Sequence, residues 1–168
     1  MSKVTLLYQP TEADWFEVYR RALITIGKRP KRPPTDKWKR DILEARHSPI
    51  RHLRFSFELE IPYWVAGHLV RHVHAQPYVG SQRNDRQDNY DRRKAPQDAP
   101  VPMIWDITGE ELLTIANKRL CKQASEETRE VVQMMCDLLD DIYQPFLVPM
   151  CEYHGGVCHE MFPCNRNS

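Results

Sequence analysis

The chain has 168 residues, enough for a single domain spanning 1–168 with its own core. Its 24 Lys and Arg offset 23 Asp and Glu, which excludes the strongly basic surface of a general nucleic-acid binder. No apolar stretch reaches the length of a membrane span. The first residues, Met1-Ser2-Lys3-Val4, lack signal-peptide form, and the odd count of five cysteines suits a reducing cytoplasm better than a disulfide framework.

In chain order, Lys3 to Tyr8 is a short apolar run predicted as a strand. Thr11-Glu12-Ala13-Asp14 is a capping box opening a helix over about 11–28, with Trp15, Val18, Tyr19, Ala22 and Ile26 on one face. The basic, proline-rich run Lys28 to Pro34 breaks it and reads as a solvated connector. A second helix is predicted over about 35–46, with Trp38, Ile42 and Ala45 inward.

His47 to His52 forms a turn into the clearest strand. Across 53–61 the odd positions are Leu53, Phe55, Phe57, Leu59 and Ile61, and the even ones are Arg54, Ser56, Glu58 and Glu60. Such alternation buries one face and wets the other. His52 stands at the mouth of this strand and by pattern alone is a surface turn histidine.

Pro62 then suits the first turn of a helix reaching about Val73, with Val65, His68, Leu69 and His72 on one face. His68 and His72, one turn apart, have no acidic base between them, so a zinc-protease helix is a poor match. Cations at a helix C-terminus are favourable through the dipole alone. Arg71 and His72 then lead, through Gly80, to Ser81, Gln82 and Arg83. Arginine forks and a serine hydroxyl are groups that grip phosphate, and Gly80 would let the backbone approach a ligand.

Residues 84–107 are polar, then proline-rich, and read as a long loop. Thr108-Gly109-Glu110-Glu111 is another capping box, and its helix carries Leu112, Ile115, Ala116 and Arg119. Arg119 follows Ile115 by four residues and so projects from the apolar side, where it needs an anionic partner, internal or external. A long helix over about 125–143 carries the stripe Val131, Val132, Met135, Leu138, Leu139 and Ile142, for the core or a subunit contact. In the 145–168 tail, Cys151, His154, Cys158, His159 and Cys164 are possible zinc ligands, but their spacing fits no common CxxC knuckle and no metal is assigned.

The stretch from His47 to Arg83 resembles the core of the flavin-dependent thymidylate synthases. That family has Arg-His-Arg, seven residues, a Ser, and an Arg two further on; here Arg71-His72-Val73, seven residues, Ser81 and Arg83 keep the spacing. The histidine-flanked turn and alternating strand match upstream. Downstream, Lys118-Arg119-Leu120 to Arg129 is similar to the family's Leu-Arg and Ala-Gln-x-Glu-Ile-Arg segment.

The resemblance implies an α+β fold: a small, mostly antiparallel sheet packed with helices. It implies methylation of dUMP to dTMP, with methylenetetrahydrofolate and NADPH as co-substrates and FAD as cofactor, in a cytoplasmic homotetramer whose sites draw on several subunits. By position, His68, Arg71, Ser81, Gln82, Arg83 and Arg119 would hold dUMP, with Arg119 catalytic, and His52, Arg71 and His72 would touch FAD. Several positions depart from the family. Val73 replaces its second Arg, Val79 its acidic residue, and Thr108, Glu110 and Thr114 its flavin-side polar groups. Two alternatives follow: a relative that keeps the pyrimidine deoxynucleotide pocket with altered or lost flavin chemistry, and a non-enzymatic nucleotide- or zinc-binding module.

Overall fold

A computed structural model describes residues 2–83, 85–86 and 91–164; position 84 and positions 87–90 of the predicted loop lie outside them. The chain runs β1 (Lys3–Tyr8), α1 (Glu12–Ile24), α2 (Asp36–Glu44), a 3-10 turn (Ser48–His52), β2 (Arg54–Pro62), α3 (Tyr63–Leu69), β3 (Gln76–Val79), β4 (Pro100–Thr108), α4 (Gly109–Arg119), α5 (Glu126–Asp137), a second 3-10 turn (Gln144–Phe146) and α6 (Met150–Tyr153). The strands form one sheet in the order β1-β2-β4-β3, and each neighbouring pair is antiparallel. The fold is the expected α+β.

The alternation in β2 sets the core. Phe55, Phe57, Leu59 and Ile61 are buried, and across the ladder they face Ile107, Trp105, Met103 and Val101, buried as well. Opposite residues of an antiparallel pair project to one face, so these eight side chains make one apolar surface. Trp15 and Val18 of α1, Ile42 and Leu43 of α2, Val65 and Leu69 of α3, and much of α4 and α5 belong to the same buried cluster.

The expected long loop over 84–107 is overturned at its end, because 100–108 is the central strand β4. Its alternation of Val101, Met103, Trp105 and Ile107 is masked in the sequence by Pro100 and Pro102. Pro102 accepts a hydrogen bond at its carbonyl from Gly80 N–H, at 2.7 Å. A residue's N and C=O point to the same side of an antiparallel strand. The donors missing at Pro100 and Pro102 therefore face the β3 side, where β3 has already ended, and leave the β2–β4 ladder intact.

The helices are shorter than expected. α1 stops at Ile24, and Gly27 at φ 70° turns the chain away, so Ile26 is exposed. α2 buries Ile42 but leaves Ala45 exposed. α3 stops at Leu69, so Arg71 and His72 follow the helix instead of lying on it. α5 stops at Asp137, where Gln144 Nε2 donates to the carbonyls of Cys136 and Leu139, both at 2.9 Å. Those bonds satisfy carbonyls that helix continuation would otherwise use. The Val131, Val132 and Met135 stripe is core. No helix among the described residues is long and apolar enough to cross a membrane.

Candidate functional site

The functional geometry lies where α3, α4 and α5 meet beside the sheet. α4 starts at Thr108, whose side chain accepts from Glu111 N–H. Residues 111, 115 and 119 lie one turn apart on its inward side. Glu111 and Arg119 therefore bracket Ile115 and both reach toward the turn after α3, where His72 sits.

His72 joins them. Its Nδ1 lies 3.0 Å from Glu111 Oε1 and its Nε2 lies 3.0 Å from Arg119 Nε. The Arg119 Nε–H group can only donate. His72 Nε2 must therefore accept, and Nδ1 carries the proton that is donated to Glu111. The imidazole is neutral in one fixed tautomer. Burial, then the Arg119 charge, hold its pKa below the ordinary value, against an opposing pull from Glu111. The His72 and Glu111 side chains are only 9% and 8% exposed.

Arg119 also donates from Nη2 to the His68 carbonyl at 3.0 Å, an acceptor in the last turn of α3. Two of its five N–H groups are thus spent on positioning, and three remain. No carboxylate among the described residues pairs with it. Burial, then the nearby Arg71, lower its pKa, so two guanidinium groups share one region. His68 Nδ1 lies 3.4 Å from Thr128 Oγ1, which in turn accepts from Ser125 Oγ at 2.8 Å.

The remaining predicted residues are placed less tightly. Ser81 Oγ accepts from Arg83 N–H at 3.3 Å, and Arg83 donates from Nε and Nη2 to the two carboxylate oxygens of Asp85, at 2.9 and 2.6 Å. Ser81 and the half-buried Gln82 belong to the segment leaving β3. At Gly80, an added Cβ would come within 2.7 Å of the Pro102 ring, so close packing on β4 is by itself a reason for this glycine. His52 is half-buried and its charged neighbours are Asp14 and Glu17 of the α1 side, apart from the Arg119 cluster. Glu110 is bound by Arg51 through Nε and Nη2, which offsets its charge. A cleft of about 460 Å³ between α1, α2 and His47–Pro49 includes none of Arg71, Ser81 or Arg119.

In the tail, Cys151 is buried, and the His154 and His159 rings lie 5.4 Å apart. No group of three or more His, Cys, Asp or Glu among the described residues is already set to hold a metal ion. Glu111 is the residue that sequence reasoning missed. The spacing that puts Arg119 on the apolar side of α4 also puts Glu111 there, two turns earlier.

No family model matches the sequence, and no curated protein sequence matches it. Solved structures do. A thymidylate synthase X (ThyX) from Helicobacter pylori, crystallised with FAD and dUMP, aligns at TM-score 0.69 and 13% identity, covering 88% of this chain and 97% of that one. A second crystal structure of the flavin-dependent thymidylate synthase ThyX from that organism, also with FAD and dUMP, aligns at TM-score 0.67 and 16% identity over 86% and 97%. A UMP/dUMP methylase, PolB from Streptomyces cacaoi, bound with 5-Br dUMP, aligns at TM-score 0.65 and 13% identity over 82% and 89%. The chain has the fold of these proteins.

Proposed function

We propose that the chain methylates dUMP to dTMP in the manner of a flavin-dependent thymidylate synthase, with Arg119 as the catalytic residue. One observation carries this reading: a partly buried guanidinium, fixed by a neutral histidine and a backbone carbonyl, has no carboxylate partner among the described residues and stands near a second arginine. A cation so held is short of an anion. In a fold that in its relatives holds dUMP, that anion is the pyrimidine nucleotide.

Arg119 would stabilise negative charge developing on the uracil ring and so raise the nucleophilicity of its C5 carbon, a task for a fixed cation in a partly dry site. Arg71 would bind phosphate. His68 would line the base, while its carbonyl orients Arg119. His72 would act through Arg119, because both its ring nitrogens are engaged, so any part it takes beside a flavin would be played by the ring face. Ser81, Gln82 and Arg83 would reach a nucleotide in a site completed by another copy of the chain, with Arg83 exchanging Asp85 for phosphate.

For FAD, Arg71 is an exposed cation suited to a diphosphate, Glu110 is offset by Arg51, and the half-buried His52 would contribute from the turn before β2. Bound FAD would supply the hydride, with methylenetetrahydrofolate giving the carbon and NADPH reducing the flavin. A homotetramer fits the apolar groups exposed near the β3 edge, namely Tyr78, Val79 and Ile104. Five free cysteines fit a cytoplasmic setting.

The visible spectrum of the purified protein, with and without FAD and dUMP, tests the reading, followed by dTMP formation from methylenetetrahydrofolate. Flavin bands that shift on adding dUMP, together with dTMP, are expected. Failure to bind both flavin and dUMP refutes the proposal. The likeness to the UMP/dUMP methylase supports a second reading in which UMP is also accepted, and UMP run beside dUMP in the same assay decides it.

A further inference from the structure

Four of the five cysteines border one cavity. Cys121, from the turn after α4, Cys151 of α6, and Cys158 and Cys164 of the following arm all line one cavity of about 150 Å³, with His159, Lys118 and Glu160 at the same cavity. Cys121 is separated from the others by the whole of α5 and the second 3-10 turn, so its arrival there is a product of the fold. The fifth, Cys136, is buried in the core, where burial pushes its thiol up to about 12.

The arm that brings in Cys158 and Cys164 has little apolar reason to fold back. Gly155 and Gly156, at φ 69° and 94°, reverse the chain after α6, and Gly156 N–H donates to the Cys151 carbonyl at 2.7 Å. Beyond them Val157, Met161 and Phe162 are 53%, 86% and 76% exposed. The ties of the arm to α4 and the turn after it are polar, Lys118 Nζ to Glu160 at 3.3 Å and Gln123 Nε2 to the Phe162 carbonyl, and the His159 ring lies 5.4 Å from that of His154. A short segment without a core that nevertheless returns over thiols is the kind of element a metal stabilises.

We propose that Cys121, Cys151, Cys158 and Cys164 bind one zinc ion as a tetrahedral four-thiolate site that clamps the arm to the end of α4. Cys121 and Cys151 sit on packed elements and give the fixed half of the site. The thiols line the cavity without yet converging, so closure is a movement of the arm, led by Cys158 and Cys164. Each thiol releases its proton to solvent as its thiolate binds, and Zn²⁺ undergoes no redox change. Four thiolates and one Zn²⁺ leave a net negative site, and Lys118 supplies a compensating charge beside it. The site is structural, since four protein ligands leave no open position for a substrate.

The test is metal analysis of the full chain purified under reducing conditions with zinc in the growth medium, followed by cobalt exchange. One zinc per chain is expected, with the visible absorption of tetrahedral cobalt–thiolate after exchange, and thiols that resist a thiol reagent until a chelator is added. Cys158→Ser and Cys164→Ser, both in the coreless arm, should stay folded by circular dichroism and lose the metal. His159→Ala should keep it. Protein that carries no metal above background, that oxidises these cysteines to disulfides, or that loses metal in His159→Ala while keeping it in Cys164→Ser overturns the proposal.

Discussion

Glu111→Ala is the sharpest perturbation of the site, because it touches neither Arg119 nor the proposed substrate. It removes the acceptor of His72 Nδ1–H in a place where both side chains are nearly buried. A buried donor left without its acceptor costs about 1–3 kcal/mol. For a chain of this size each kcal/mol lowers the melting temperature by about 2–4 °C, so the variant should melt roughly 2–12 °C below the parent. The second effect is on binding. Without Glu111 only the Arg119 Nε–H still favours that His72 tautomer, and in the other tautomer or the imidazolium an N–H faces Arg119 Nε–H in place of a lone pair. A charge-assisted bond worth about 1.5–3 kcal/mol is then lost from the positioning of Arg119, and dUMP should bind roughly 10- to 100-fold more weakly. Glu111→Gln keeps an oxygen acceptor and should retain most of the affinity. Scanning calorimetry and titration calorimetry with dUMP measure both. If Glu111→Ala melts with the parent and binds dUMP equally, or if Glu111→Gln is as damaging as Glu111→Ala, the tautomer reasoning is wrong.

Arg119→Lys replaces a fork with one ammonium that cannot satisfy both the His72 nitrogen and the His68 carbonyl; single-turnover dTMP formation should fall about 10²-fold or more. The pH dependence has a definite sign. His72 has a folded-state pKa below its ordinary value of 6.5, so in the window beneath 6.5 the unfolded chain binds more protons. Its contribution to stability is therefore present above 6.5 and is lost as the pH falls through the lowered folded-state value. Thermal melts should drop in that window, and His72→Gln should flatten that part of the curve. Gly109→Ala puts a Cβ within 2.7 Å of the Ile50 carbonyl, which the backbone must move to accept. A loss of about 1–3 kcal/mol is expected in urea unfolding, along with weaker dUMP binding, because the start of α4 sets the direction of Glu111 and Arg119.

The sequence exposed those parts of the fold whose pattern was local. The period-two run of β2 and the Thr-initiated start of α4 were readable because burial there follows strand or helix spacing directly. β4 was hidden because its two prolines look like loop chemistry, and only the position of the edge strand β3 shows that their missing donors fall where the ladder has ended. The end of α5 was equally hidden, since the capping group is a glutamine side chain seven residues beyond Asp137. Within the site, the spacing of α4 identified Arg119 as an inward cation, but the same spacing applied to Glu111 would have identified its inward carboxylate. What no spacing could give is His72 as the bridge. It comes from a turn after α3, and its approach to α4 depends on how both helices pack on the sheet.

The bridge explains why Arg119 is held by a neutral group when a carboxylate was within reach of the same helix face. A direct Glu–Arg pair would fix the guanidinium but also neutralise it, and its attraction for an incoming anion would be largely spent. An imidazole acceptor fixes Nε without adding charge. Glu111 still contributes, but from beyond the ring, and since Coulomb attraction falls in inverse proportion to distance, the insertion of the imidazole roughly halves its pull on Arg119. The His68 carbonyl acts in the same way on Nη2, as a dipole and not a full charge. Arg119 is thereby fixed at two N–H groups by acceptors that leave its net charge intact, with Arg71 adding positive potential nearby. Such an arrangement is costly in an isolated chain, because two cations repel across a partly dry region. The cost becomes useful only when an anion arrives, which is the condition a preorganised anion site must meet. Glu111→Gln should therefore hold the geometry while removing the remaining pull on Arg119, and dUMP should keep most of its affinity for that variant, in contrast to Glu111→Ala.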